Sequence, residues 1–429
     1  MNKKYYEQFD ETIYTQVLDN GLTVKLLPKN DFNKIFALFS TNFGAVDTKF
    51  TPYGENEEIK VPNGIAHFLE HILFKKETGD AMSGFQALGA SSNAYTSFTE
   101  TAYLFSSTTK VKENVELLLD FVQDPYFTEK TVSEEQGIIA QEIAMYADDP
   151  DSLLINGIIE LMYPDHPVKV DILGSVDSIQ KITPEDLYAS YNTFYHPSNM
   201  TLQIAGQMDV EALMDVIKEN QSQKDFHPVA DIKRQRLNED LDNIVSYKEG
   251  TADISRPKVA MGLRGESRQL TQVIPYKEQM ALKLFTTMLF GSLSKARLDL
   301  YDSGILDSSF SANLWNDRSY DFLLFDMSTN QVEESIAAVK NILFNYKESN
   351  ELNEEHLETI KKRLTGNNIK SLNSIEYLAN QLTTNYDKDK SNFDYLPIIE
   401  TITMDDIMQV AEKYIDESRL AIYVLKPKK

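Results

Sequence analysis

The sequence contains no cysteine. That excludes disulfides, thiol catalysis, iron–sulfur clusters and every cysteine-based zinc site. A transition metal could be held only by histidine, aspartate or glutamate, and histidine is scarce, six in 429 residues. Basic clusters are missing too. The formal charge is −24, and no Lys/Arg run stands out that would neutralise phosphates, so no nucleic-acid partner is expected. No stretch approaches the roughly 18–20 apolar residues of a membrane helix, so no membrane partner is expected either. The opening MNKKYYEQFDETIY has lysines but no apolar run behind them, which argues against a secretory leader. The expected location is the cytoplasm. What is present, 42% hydrophobic and 25% charged residues, is the composition of a globular chain long enough for two or three domains.

The chain is written twice. ITPEDLYASYNTFYHPSNMTLQIAG (182–206) and ITMDDIMQVAEKYIDESRLAIYVLK (402–426) share one plan. Each has a threonine placed to cap a helix and acids in the first turn. Apolar residues follow at helical spacing (Leu187, Tyr191, Phe194 against Ile407, Ala411, Tyr414). Each ends in an alternating strand. TAYLFSSTTKVKENVELLLDFV (101–122) and YDFLLFDMSTNQVEESIAAVKNILF (320–344) repeat a strand, turn and helix at nearly the same step. Two matches in register predict an internal duplication. The expected fold is α+β, with two similar domains, 1–225 and 226–429, each a mostly antiparallel sheet packed with helices. The polar stretch 220–243 is the expected linker.

GIAHFLEHILF (64–74) carries two of the six histidines. Asn63 is placed to cap a helix there. Ile65, Phe68, Leu69, Ile72 and Leu73 form one apolar face. His67, Glu70 and His71 fall on another stripe, because residues three and four apart share a side of a helix. An ordinary amphipathic helix would turn that stripe to solvent. Two imidazoles at this spacing can also reach one metal ion, with the glutamate facing a water on it. The same step along the duplication lands on Thr287–Gly291, which has no histidine, so the fold does without them there.

Catalytic zinc commonly takes three protein ligands and leaves a position open. With cysteine absent, a carboxylate is needed. TVSEEQGIIAQEIAMYADDPD (131–151) offers Glu135 and Glu142, seven apart and so on one helix face. Ser133 with Gln136 reads as a capping box starting that helix. By spacing alone either glutamate can serve. First-turn acids also simply favour the helix dipole, which accounts for Glu134 and Glu135 better than for Glu142.

Taken together, His-x-x-Glu-His and the downstream Glu-x6-Glu resemble the pitrilysin/insulinase family of zinc peptidases, whose motif inverts the zincin signature. LDNGLTVKLLP (18–28), GASSNAYTSFTETAYLF (89–105), HPVKVDILGSVDSI (166–179) and YHPSNM (195–200) are similar to family segments and stand in family order. The resemblance is to half-size, processing-peptidase-like members. It implies that His67, His71 and Glu142 bind Zn2+, that Glu70 is the general base, and that Glu135 supports catalysis. It also implies that ASSNAYTSFT (90–99) includes an edge strand onto which a peptide adds, with Asn93, Ala94 and the adjoining Tyr95 meeting the substrate. The spacing from His71 to Glu142 is a few residues shorter than usual, read as a loop deletion.

Half-size members pair with a second subunit to close a chamber, so the resemblance implies a homodimer or a heterodimer with a related chain. One position departs from the family. Active relatives often carry an Arg and a Tyr in the second domain, and here Tyr301 and Asp307 stand in those places, with Arg297 and Tyr320 nearby. His166, His196, His227 and His356 are expected to be structural.

Overall fold

The computed structural model describes residues 1–237, 241–383 and 391–428. The chain forms two compact units. One comprises Met1–Ile143, Asp171–Gln235 and Ile369–Asp394, the other Ala144–Val170, Arg236–Asn368 and Tyr395–Lys429. Among the described residues no helix is long and apolar enough to cross a membrane.

The first unit is built on a seven-stranded sheet in the order Asn2–Tyr6, Glu11–Val17, Thr23–Pro28, Met200–Gly206, Ile35–Thr41, Thr101–Ser107, Ala90–Thr96. The second has five strands in the order Tyr247–Ala252, Leu420–Pro427, Lys258–Arg264, Tyr320–Ser328, Ser311–Asp317. The last five strands of the first sheet and the five of the second follow one topology. In each, the opening pair is parallel (Thr23–Pro28 with Met200–Gly206, Tyr247–Ala252 with Leu420–Pro427) and the other pairs are antiparallel. The helices expected to repeat do so. Thr183 and Thr403 each close a capping box, with Asp186 and Asp406, and each helix delivers the chain to the strand that pairs in parallel.

The units are not the two contiguous halves drawn at 225/226. Strands Ile35–Thr41 and Met200–Gly206 are buried along their whole length, so both faces of the sheet need a cover. Core helices cover one face. On the other, Ile375, Leu378 and Ala379 of the helix Ile375–Asn380 pack with Phe36, Leu38 and Ala205. The second unit takes the helix Pro150–Met162 in the same way, against Lys258–Arg264 and Leu420–Pro427. Glycine allows that close fit: a Cβ on Gly262 would lie 2.4 Å from the Met162 sulfur. Each sheet is thus finished by a helix from the other half of the sequence.

The expected linker 220–243 is largely irregular, with short regular pieces at its ends and centre. Residues 220–222 end the helix Val210–Ser222, and Lys233–Arg234 pairs with Lys49–Thr51. There the Arg234 Nε donates to the buried Asp47 carboxylate at 2.7 Å. Residues 238–240 lie outside the described residues.

Candidate metal centre

The helix Ile65–Ile72 sits in the core of the first unit, with Ile65, Ala66, Phe68, Leu69 and Ile72 buried in the cluster that fills one face of the sheet. Its start differs from expectation. Asn63 does not cap it. Gly64 is the N-cap residue, in the left-handed region at φ 89°, with no side-chain cap. The cause is a close backbone approach. A Cβ on Gly64 would fall 2.4 Å from the Leu173 carbonyl oxygen, and one on Gly174 would fall 2.6 Å from the Asn63 carbonyl oxygen. That Asn63 oxygen accepts a hydrogen bond from Ser178 Oγ at 2.9 Å. The segment HPVKVDILGSVDSI thus includes the residues that clamp the entry to this helix.

The second helix, Glu129–Tyr146, begins before Ser133. Thr128 Oγ1 accepts from the Thr131 N–H at 3.1 Å and ends the preceding loop. Gln136 forms no capping box. Its amide reaches the carbonyls of Ile179, Gln180 and Ile182. Val132 and Ile139 anchor the helix in the core, and Glu135 and Glu142 face the histidines.

His67 and Glu70 are not a solvent face. They are 7% and 8% exposed, which an ordinary wet stripe would not be, since buried polar groups are costly without partners. His67 Nε2 lies 3.7 Å and His71 Nε2 3.5 Å from Glu142 Oε2. One donor atom from each of the three residues lies within 4.8 Å of the others, the group among the described residues placed to hold a metal. Ligands about 2.0–2.1 Å from a tetrahedral zinc are about 3.3 Å apart, so the observed spacings fit such an ion. Two imidazole nitrogens and a carboxylate oxygen, with no sulfur, suit zinc with an open position.

The neighbours of the triad prepare it. His71 Nδ1 donates to Glu135 Oε1 at 3.0 Å, which leaves Nε2 with its lone pair toward the site. Lys75 Nζ pairs with the other Glu135 oxygen at 2.7 Å. Spacing could not separate Glu135 from Glu142, but the geometry does: Glu142 stands with both Nε2 atoms and Glu135 stands behind His71. Thr96 Oγ1 donates to Glu70 Oε2 at 2.7 Å. Burial, with the neighbouring His71, pushes His67 down to about 4 and keeps it neutral, the ligating form. Burial alone would lower His71 as well, but Glu135, Glu70 and Glu142 outweigh it and raise it. Glu70 is raised by burial, against the Thr96 bond. Burial would also raise Glu135, but His71 and Lys75 hold it below the ordinary range.

Asn93, Ala94 and Tyr95 lie on the strand Ala90–Thr96, at the edge of the sheet, with Asn93 and Tyr95 exposed. In the second unit Tyr301 is 52% exposed. Asp307 is held by Arg256 at 2.7 Å and accepts from the Ser309 N–H. Arg297 donates to the Phe290 carbonyl and lies over the Phe310 ring, and Tyr320 is buried. None of these four is in the metal group.

The other histidines have structural partners. His166 and His196 each precede proline and accept through Nδ1 from the N–H two residues on. The His227 ring stacks on Tyr53, and His356 bonds the Glu351 carbonyl. Sequence reading missed Lys75 and Thr96. The signal for Thr96 was there: the strand period of two puts it on the face of Ala94 and Ser92, opposite Asn93 and Tyr95.

Comparison with known proteins supplies the family. Residues 52–176 match insulinase (peptidase family M16), and residues 181–364 match the peptidase M16 inactive domain. The chain is 43% identical over 423 residues to the uncharacterized zinc protease YmfH of Bacillus subtilis, covering 99% of this chain and 98% of that protein. It is 24% identical to an uncharacterized zinc protease of Rickettsia felis, over 85% and 88% of the two chains. Its fold matches the crystal structure of a putative M16-like peptidase from Alicyclobacillus acidocaldarius with a TM-score of 0.92 at 32% identity, over 97% and 99% of the chains. The chain belongs to the M16 insulinase family.

Proposed function

We propose that this chain is a zinc-dependent endopeptidase acting on peptides or unfolded segments in the cytoplasm, as a homodimer or beside a related subunit. The observation that carries the reading is the convergence of His67, His71 and Glu142 donor atoms beside a buried glutamate. These three residues would hold the ion. When bound, zinc supplies Lewis acidity toward a water and the scissile carbonyl.

Glu70 takes the proton of the attacking water and passes it to the leaving amine, so no covalent intermediate with the protein forms. Its raised proton affinity, from burial, suits that shuttle near neutral pH. Glu135, braced by Lys75, keeps the His71 ring in its ligating tautomer. The outer edge of Ala90–Thr96 accepts an extended peptide as an added strand, with Asn93, Ala94 and Tyr95 along it. Pairing of that kind reads backbone shape more than sequence.

A second reading is a non-catalytic peptide-binding or scaffolding subunit. Tyr301 and the Arg256-bound Asp307, at the places where active relatives often carry Arg and Tyr, favour it. A buried base beside the triad has no use in such a subunit, which favours the peptidase.

The test is mass spectrometry of a mixed peptide digest incubated with the zinc-loaded chain and with Glu70→Gln. Cleavage by the first and not the second is the expected result. No cleavage by a folded, zinc-loaded chain, alone or with its related subunit, contradicts the peptidase and leaves the binding role.

A further inference from the structure

We propose that Thr96 is a positioning residue for the base, coupling the strand that receives the peptide to the carboxylate that activates water. The inference rests on the peptidase reading and deepens it. Among the described residues, Ala90–Thr96 is the last strand of its sheet and is paired on one side only, with Thr101 opposite Thr96. Asn93 and Tyr95 point to solvent, while Thr96 turns its hydroxyl to Glu70 Oε2 at 2.7 Å. This is the one side-chain hydrogen bond that Glu70 makes among the described residues.

A glutamate carboxylate has a broad terminal torsion and no fixed orientation of its own. One bonded oxygen fixes the group and leaves Oε1 for the proton it must take. A base works only within hydrogen-bond reach of that proton. A peptide added to the free edge would order the strand end that carries Thr96. Substrate pairing and base alignment would then be one event. An edge strand whose only role was pairing would not need a hydroxyl on its inner face at that residue.

The experiment compares Thr96→Val, which keeps the shape and removes the donor, with Thr96→Ser, which keeps the donor. Three readouts are taken on the zinc-loaded full chain: zinc content, kcat and KM on one extended peptide, and the crystal structure. For Thr96→Val, kcat falls about 10- to 100-fold, the effect of misplacing a catalytic group by about 1 Å. KM changes less than about twofold, since ground-state binding is untouched. Zinc stays stoichiometric and the Glu70 carboxylate leaves its wild-type position. Thr96→Ser restores both rate and position.

Equal kcat in wild type and Thr96→Val overturns the proposal, as does a Thr96→Ser variant as impaired as Thr96→Val. If the wild type itself cleaves nothing, the peptidase reading fails separately. The crystal structures then decide about Thr96: an unmoved Glu70 in Thr96→Val overturns the positioning role, and a displaced one upholds it.

Discussion

The two units share five strands in the same order and direction, yet one converges polar groups where the other packs hydrocarbon. In the first, the site helix buries His67 and Glu70. At the corresponding step the second has Thr287 and Phe290 on the helix Tyr276–Phe290. Phe290 is 1% exposed and packs against Phe325 and Phe310, and Thr287 satisfies its hydroxyl on the Lys283 carbonyl. The same step takes Glu142 to Lys362, which is exposed. The fold therefore needs an apolar helix at this place and does not need histidines. Polar groups buried at one copy only are the mark of a site, because they give up packing and desolvation that the other copy keeps.

That comparison can be broken in several ways, in order of decreasing effect. Putting the first unit's charge into the second, Phe290→Glu, should destabilise the protein by about 4 kcal/mol or more, from lost packing and a buried carboxylate. An unchanged urea midpoint would refute the packing account of the second helix. Removing the proposed third ligand, Glu142→Ala, should weaken zinc binding by more than about 100-fold, beyond the loss typical of an outer-shell change. Its counterpart Lys362→Ala should leave zinc binding unchanged, and competition titration with a chelator reads both.

Lys75→Met should weaken zinc by about 10- to 100-fold through Glu135 and His71, with Lys75→Arg recovering most of it. Equal affinity in wild type and Lys75→Met would leave Lys75 only a surface partner. The last prediction concerns pH and the second unit alone. Burial, helped by Arg264 and Arg318, pushes His166 down to about 3. The unfolded chain binds this proton first, below about 6.5. The stability it confers is complete above that pH and is lost as pH falls toward 3, at up to about 1.4 kcal/mol per pH unit. His166→Asn should flatten that slope in the metal-free protein, and a slope unchanged from wild type would contradict the assignment.

Much of this was legible in the sequence, and for physical reasons. Capping boxes at Thr183 and Thr403 are local and use neighbours three residues apart, so spacing reveals them. His67, Glu70 and His71 are likewise local. What spacing missed was set by contacts between distant segments. The site helix starts on Gly64 and not on a capped Asn63 because the loop at Leu173–Gly174 presses on it. The second site helix starts early because Thr128 and Thr131 cap it, while Gln136, which matched a capping box, is used on the carbonyls at 179–182. The units are discontinuous because a sheet buried on both faces needs a helix from elsewhere, and no local pattern says which. Lys75 and Thr96 act on residues more than twenty positions away.

The measurement that tests the central claim most directly is the metal content of the purified chain after zinc loading and desalting, with X-ray absorption at the zinc edge, beside His71→Ala. One zinc per chain in a nitrogen and oxygen shell without sulfur, lost in His71→Ala, is the predicted result. A wild type that retains no zinc, or a His71→Ala variant that retains as much as the wild type, would contradict it.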